Sequence, residues 1–217
     1  MEKYFSQFGQ DEYLDKKIFK KREKGFFIDI GAHDGITYSN SLFFERYRKW
    51  AGICIEPNPD VFLKMAKLRS SLNIEACIGT KHGEVDFLKV SGYAEMLSGM
   101  KDNYQKVHYK RLTEEIKNMG GKMEETKVLS IPLQVLCERY NIKHVHYISL
   151  DVEGGELAVL NSINFKTISV DVFSVENNYE DNEIRSKMKE EGYYLKKKIK
   201  CDEIYVKRSP ALSFFYS

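Results

Sequence analysis

Short apolar runs recur along the chain with amphipathic stretches between them. Phe26–Ile30 is apolar except for one acid, Asp29, and is short and dense enough for a strand buried on both faces. Ile53–Ile55, Ile74–Gly79, Val145–Leu150 and Ser169–Val175 repeat that pattern. Between them, 38–47, 60–69, 133–140 and 181–191 carry helical spacing. Asn58 caps the second of these helices, with Pro57 and Pro59 ending the strand before it, and Pro132 opens the third. Strands alternating with helices predict a three-layer α/β fold around a mostly parallel, Rossmann-like sheet. Tyr193–Ile199 and Ile204–Val206 predict an antiparallel hairpin at one edge. At the other end of the chain, a turn at Ser6–Asp11 leads into a predicted helix over 12–20 and a solvated charge run over 20–24.

Two stretches break the alternation. Val85–Val90 alternates as a strand and, with Ile74–Gly79, predicts a hairpin extension at the sheet edge. Residues 91–126 are punctuated by glycine and lack strong periodicity, as a lid or acceptor-binding wall would, before a strand at Lys127–Ile131. His108, inside that stretch, reads as a surface residue. The expected organisation is a single domain over 1–217, with a helical segment at 1–24 and a lid-like insertion at 91–126. Ser209–Ser217 is apolar but unpatterned.

Composition narrows the functional classes. Thirty-four Lys and Arg against 32 Asp and Glu leave a net charge of +2, which argues for neither nucleic acid nor membrane as partner. Lys196–Lys198 and Lys200 fall on the predicted edge hairpin, where lysine guards against stray pairing. The four cysteines form no C-x-x-C pair, and three lie in apolar runs, as buried reduced thiols do. No signal-peptide core or membrane-length apolar stretch is present, so a soluble protein of a reducing, cytoplasmic compartment is expected.

The candidate chemistry lies at predicted strand ends. Gly31 and Gly35 follow the first strand as D-x-G-x-x-x-G, unlike the dinucleotide fingerprint G-x-G-x-x-G. Asp29 and Asp34 beside that turn would repel a pyrophosphate and suit a ligand with an ammonium group. Glu56, at the end of the second strand, is placed to hydrogen-bond both hydroxyls of a ribose. Ser39, Asn40 and Ser41 can donate to a carboxylate. Asp151 and Glu153 follow the fourth core strand on a glycine-bearing turn, where they repel each other unless a cation, proton or ligand intervenes. Glu156 reads as a helix-dipole partner, and Glu176 ends the fifth strand. No histidine or cysteine stands at a strand end, which argues against a covalent mechanism.

The strings S-Q-x-G-Q-D at 6–11, D-I-G-A-H-D-G at 29–35, I-E-P-N-P at 55–59, G-Y-x-E-M-L-S-G at 92–99, L-D-V-E-G-G-E at 150–156, V-E-N-N at 175–178 and D-E-I-Y-V at 202–206 together resemble the FkbM-type branch of the class I S-adenosylmethionine-dependent methyltransferases. The resemblance implies O-methylation of a hydroxyl on a sugar or natural product, the alternatives being a methyltransferase of another acceptor (protein, RNA or small molecule) and a non-catalytic S-adenosylmethionine-binding module. It implies cofactor contacts at Asp29, Gly31, Ala32, His33, Asp34, Gly35, Ser39, Asn40, Glu56, Pro57 and Asp151. Adenine would pack at Cys77 and Ile78, and Gln10 would be a further contact. Asp151, Glu153 and Glu176 are the candidates for a base. The same carboxylates could hold Mg²⁺ through oxygen ligands, and a metal-independent base is the reading preferred here.

Overall fold

The computed structural model describes residues 2–92, 95–103 and 106–208. In chain order the first elements are α1 (Gln10–Tyr13), β1 (Phe26–Ile30), α2 (Leu42–Arg48), β2 (Ala51–Ile55), α3 (Pro59–Leu68), β3 (Leu72–Ile74), β4 (Cys77–Ile78), β5 (Gly83–Ser91) and β6 (Gly99–Met100). Then come α4 (Lys106–Met119), β7 (Lys122–Ile131), α5 (Leu133–Arg139), β8 (His144–Leu150), α6 (Glu156–Asn161), β9 (Ser169–Glu176), α7 (Asn182–Glu190), β10 (Tyr193–Ile199) and β11 (Asp202–Lys207).

Seven strands form the main sheet in the order β10-β11-β9-β8-β1-β2-β3. β3, β2, β1, β8 and β9 are parallel neighbours, and β11 runs antiparallel to both β9 and β10. Ile28 and Ile30 of β1 pack toward Leu133 and Leu136 of α5, Val159 of α6 and Met188 of α7. Phe27 packs the other way, against Leu14, Phe43 and Phe44 of α2, and Met65 of α3. A strand buried on both faces therefore needs an apolar residue at nearly every position, which is why its run is continuous. The expected three-layer α/β architecture with an antiparallel edge hairpin forms.

The chain order turns back between β1 and β8, where one half of the sheet grows through β2 and β3 and the other through β9. Ligands of open α/β sheets bind at such a reversal, outside the carboxyl ends of the strands. The register makes this edge level. Ile30 pairs with Ile55 and with Leu150, Leu150 pairs with Val175, and Glu176 pairs with Asp202.

A second sheet, β4-β7-β5-β6, covers this edge. Its form corrects the expected hairpin of 74–79 with 85–90: β3 ends at Ile74, and β7 lies between β4 and β5. β7 begins at Lys122 rather than Lys127, because backbone pairing with β5 makes a strand of residues whose side chains are mostly exposed and carry no apolar alternation. Within 91–126, α4 forms where sparse periodicity gave no helix, anchored by Leu112 and Ile116 against Val90 and Leu97. α2 starts at Leu42 instead of Tyr38, where the Ser39 hydroxyl accepts from the Leu42 N–H. The N-terminal helix begins at Gln10 and widens into a π-helical turn over Leu14–Ile18. Tyr93, Ala94 and Ser209–Ser217 lie outside the described residues, as does the side chain of His108. No described helix is long and apolar enough to cross a membrane.

Candidate active site

A cavity of about 590 Å³ opens at the carboxyl edge between the two sheets, within the range of small-molecule sites. Because strand ends are level, the residues just beyond them emerge side by side: Glu56 after β2, Gly31 after β1 and Asp151 after β8, with Glu176 closing β9. All four line the cavity.

Gly31 is required where it stands. Its φ is +82°, and a Cβ there would lie 1.7 Å from the Asp151 carbonyl oxygen. Its N–H and that of Ala32 both donate to the Ile55 carbonyl at 3.0 Å. Asp29, two residues earlier, is buried, accepts from the Ser41 hydroxyl and lies 3.9 Å from the Arg69 guanidinium. Burial pushes its carboxyl up against the pull of Arg69. Arg69 also donates to Glu45 at 3.1 Å, to the Gly35 carbonyl at 3.1 Å and to the Ser41 hydroxyl at 2.9 Å. A single buried arginine thus ties the glycine turn, α2 and β1 together.

Glu56 is buried and accepts from the His33 N–H at 3.0 Å and the Asn58 N–H at 2.8 Å. Burial pushes its carboxyl up to about 7 in spite of those bonds. An ionised carboxylate offers about four acceptor positions, so two remain for a diol. Ile55, Ala76, Cys77 and Ile78 surround it with an apolar lining, completed from the second sheet by Phe87 and Leu97. Burial drives the Cys77 thiol up to about 11, so it packs as an apolar group.

At the other end of the row, Asp151, Glu153 and Glu176 each offer an oxygen within 4.8 Å of the others. Burial, and then the neighbouring carboxylates, push Asp151 and Glu176 up, so the pair retains a proton that would leave an ordinary carboxyl. Glu153 stands at φ +55° on the turn. Glu156 accepts from the Val152 and Gly154 N–H groups at 3.1 Å and so holds that turn's shape. The three oxygens suit either a shared proton or a hard divalent cation.

Of the expected contacts, Asp29, Gly31, Ala32, His33, Ser39, Asn40, Glu56, Pro57, Cys77, Ile78, Asp151, Glu153 and Glu176 line the cavity. Gln10, Asp34 and Gly35 do not. Gln10 is buried and donates to Asp202 at 2.5 Å. Asp34 turns back to its own loop: against partial burial, bonds from Thr37 and Ile36 hold its carboxyl below the usual range. Gly35 packs on Arg69. Ser149, Gln7 and Tyr38 line the cavity without having been singled out, and so do Glu95, Met96 and Met100 of the insertion expected as a lid or acceptor-binding wall. Ser149 was within reach, as a polar residue two before Asp151 in an apolar strand; it accepts from the Asn40 amide at 3.2 Å. Gln7 and Tyr38 come from segments outside the helices and strands that the fold brings near. Glu95 lies 3.4 Å from the His33 ring and 3.1 Å from Lys64 of α3, while Lys89 of β5 meets Asp60 of α3 at 2.6 Å.

A comparison with curated proteins finds no match. Residues 29–195 match the family described as the methyltransferase FkbM domain, a span that runs from Asp29 of β1 into β10 and includes the glycine turn, Glu56, the second sheet and all three clustered carboxylates. The chain belongs to the FkbM methyltransferase family.

Proposed function

We propose that the protein transfers a methyl group from S-adenosylmethionine to a hydroxyl of a sugar, glycan or glycosylated natural product. The observation that carries this reading is one cavity with a diol acceptor, Glu56, at one end of the strand-end row and the Asp151–Glu153–Glu176 cluster at the other. The cavity's residues fit the cofactor. Glu56 has acceptor capacity for a ribose, and the apolar pocket of Ile55, Ala76, Cys77, Ile78 and Phe87 suits adenine. Asn40 Oδ1 is a buried acceptor with no hydrogen-bond partner among the described residues, suited to an ammonium group.

When bound, the cofactor supplies a methyl group on sulfur that is already a good leaving group. The chain's task is then alignment, which orders acceptor and methyl donor in line. A hydroxyl must also lose its proton, and the carboxylate cluster stands ready to take it, with Asp151 the most central member at the reversal point of the sheet. A divalent cation held by the same three oxygens would lower the hydroxyl's pKa instead. We favour the base, and titration with and without Mg²⁺ decides between the two.

Calorimetric titration of S-adenosylmethionine and S-adenosylhomocysteine, with and without Mg²⁺, tests the reading. Micromolar binding to the wild type, weakened by about 1–3 kcal/mol in Glu56→Ala, is expected. No binding of either compound overturns it. Binding that requires Mg²⁺ moves the acid cluster from base to cation site.

A further inference from the structure

The Ser6–Asp11 turn reaches the cavity through Gln7, and a set of hydrogen bonds holds its shape. Buried Asp11 accepts from the Phe5 and Ser6 N–H groups and from the Ser6 hydroxyl. Gly9, at φ +83°, allows the chain to reverse. Gln10 accepts from the Phe8 N–H and donates to Asp202 of β11, anchoring the turn to the main sheet. Ser6 then forms a bridge to Tyr38. Gln7, in the middle of the turn, is exposed and lines the cavity.

Tyr38 is its counterpart. It lines the cavity and is 52 % exposed, and its φ is +56°, a region that bulky side chains rarely enter. The surrounding structure imposes that conformation. Before it, Asp34 accepts from the Ile36 and Thr37 N–H groups and the Thr37 hydroxyl; after it, the Ser39 hydroxyl accepts from Leu42. A strained aromatic held from three directions at the rim of a cavity points to a role in binding.

We propose that Tyr38 and Gln7 form the acceptor-docking edge of the site, the ring covering one C–H face of a pyranose while Gln7 and Thr37 bond its hydroxyls. The inference rests on the methyltransferase reading above and deepens it. A pyranose presents apolar faces within a rim of hydroxyls, and this edge presents one open ring flanked by an amide and a hydroxyl. A planar phenol would ask for apolar contact on both faces.

Saturation-transfer NMR on the full chain tests this, with S-adenosylhomocysteine at a concentration that calorimetry shows to be saturating. The probes are methyl pyranosides of the gluco, manno, galacto and 6-deoxy series, with p-nitrophenol as the planar alternative. At least one pyranoside is expected to receive saturation at its ring protons. Tyr38→Ala should weaken it about tenfold, Tyr38→Phe should retain it, and Gln7→Ala should weaken it about threefold. S-adenosylhomocysteine should bind all three variants as it binds the wild type, and the melting temperature should hold because the ring is half exposed. Unaltered pyranoside binding by Tyr38→Ala, transfer to p-nitrophenol alone, or no transfer while S-adenosylhomocysteine binds overturns this proposal alone. Failure of S-adenosylhomocysteine to bind the wild type overturns the cofactor reading and this proposal with it.

Discussion

The two walls of the cavity are held by different forces. The wall made by the strand ends of the main sheet is buried and interlocked: Gly31 lies against the Asp151 carbonyl, and Arg69, its side chain fully buried, ties Asp29, Ser41, Glu45 and Gly35 together. The wall made by the second sheet meets α3 through Lys64–Glu95 and Lys89–Asp60, pairs in which at least one partner is mostly exposed. Buried pairs resist disruption because breaking them strands a charge, whereas exposed pairs are screened and worth little. The strand-end wall is thus fixed, while the second sheet, rooted in the main core through Ile78 and Ile131, is expected to open at its exposed contact with α3.

The sharpest break of the first wall is Gly31→Ala. The new methyl would collide with a backbone oxygen that cannot swing aside, at a φ that alanine avoids. A loss of about 4 kcal/mol or more is expected in urea unfolding. Gly9→Ala is the control: φ is +83° but nothing lies within 4 Å of its Cβ, so only about 1 kcal/mol should be lost. Equal losses would show that the packing of Gly31 on Asp151 is unimportant. Arg69→Met comes next. It leaves Asp29 and Glu45 without their cation, and about 3–5 kcal/mol should go, with cofactor binding reduced because the turn loses its anchor at Gly35.

Glu56→Gln is a smaller change with a pH signature. Burial raises the Glu56 carboxyl from its ordinary 4.5 to about 7 in the folded chain. The folded state therefore binds a proton that the unfolded state has released, and this contribution is fully present below about 4.5 and lost as pH rises through about 7. The wild type should lose about 3 kcal/mol more than Glu56→Gln between pH 4.5 and 7.5 in paired unfolding curves. Parallel curves would refute the raised carboxyl. Cofactor binding to the wild type should release a proton near pH 6, detectable as a dependence of the calorimetric heat on buffer ionisation, because diol donors favour the charged form.

The same contrast explains what the sequence could reveal. Glu56, Asp151 and Glu176 were legible because a polar residue at the end of an apolar run is a local signal, and the register of a parallel sheet brings such ends together. Gln10, Asp34 and Gly35 share their segments with real lining residues, but single-residue rotations turn them to Asp202, to their own loop and to Arg69, and no pattern along the chain encodes that. Arg69 itself was invisible: it follows an amphipathic helix as an ordinary exposed-looking cation would, and its partners are 24 to 40 residues away. The second sheet was legible only in part. β5 alternates, but Lys122–Lys127 of β7 carry a single apolar side chain, Met123, and become a strand through backbone bonds to β5 alone.

The smallest expected effect bears directly on the second wall. Lys64→Ala combined with Lys89→Ala removes the two ion pairs seen among the described residues between the cover and α3, and substitutes no residue that lines the cavity. Because these ties are at the surface, the unfolding midpoint should stay where it is. The rate at which S-adenosylhomocysteine leaves should rise a few-fold in stopped-flow measurements, and its dependence on salt should weaken, since in the wild type salt already loosens those pairs. Association should quicken by a similar factor, so the equilibrium affinity would move less than either rate. That combination separates a cover from a binding surface. If the variant instead loses affinity with its dissociation rate alone increased, the second sheet is part of the cofactor's grip, and the division between a fixed wall and a movable one fails.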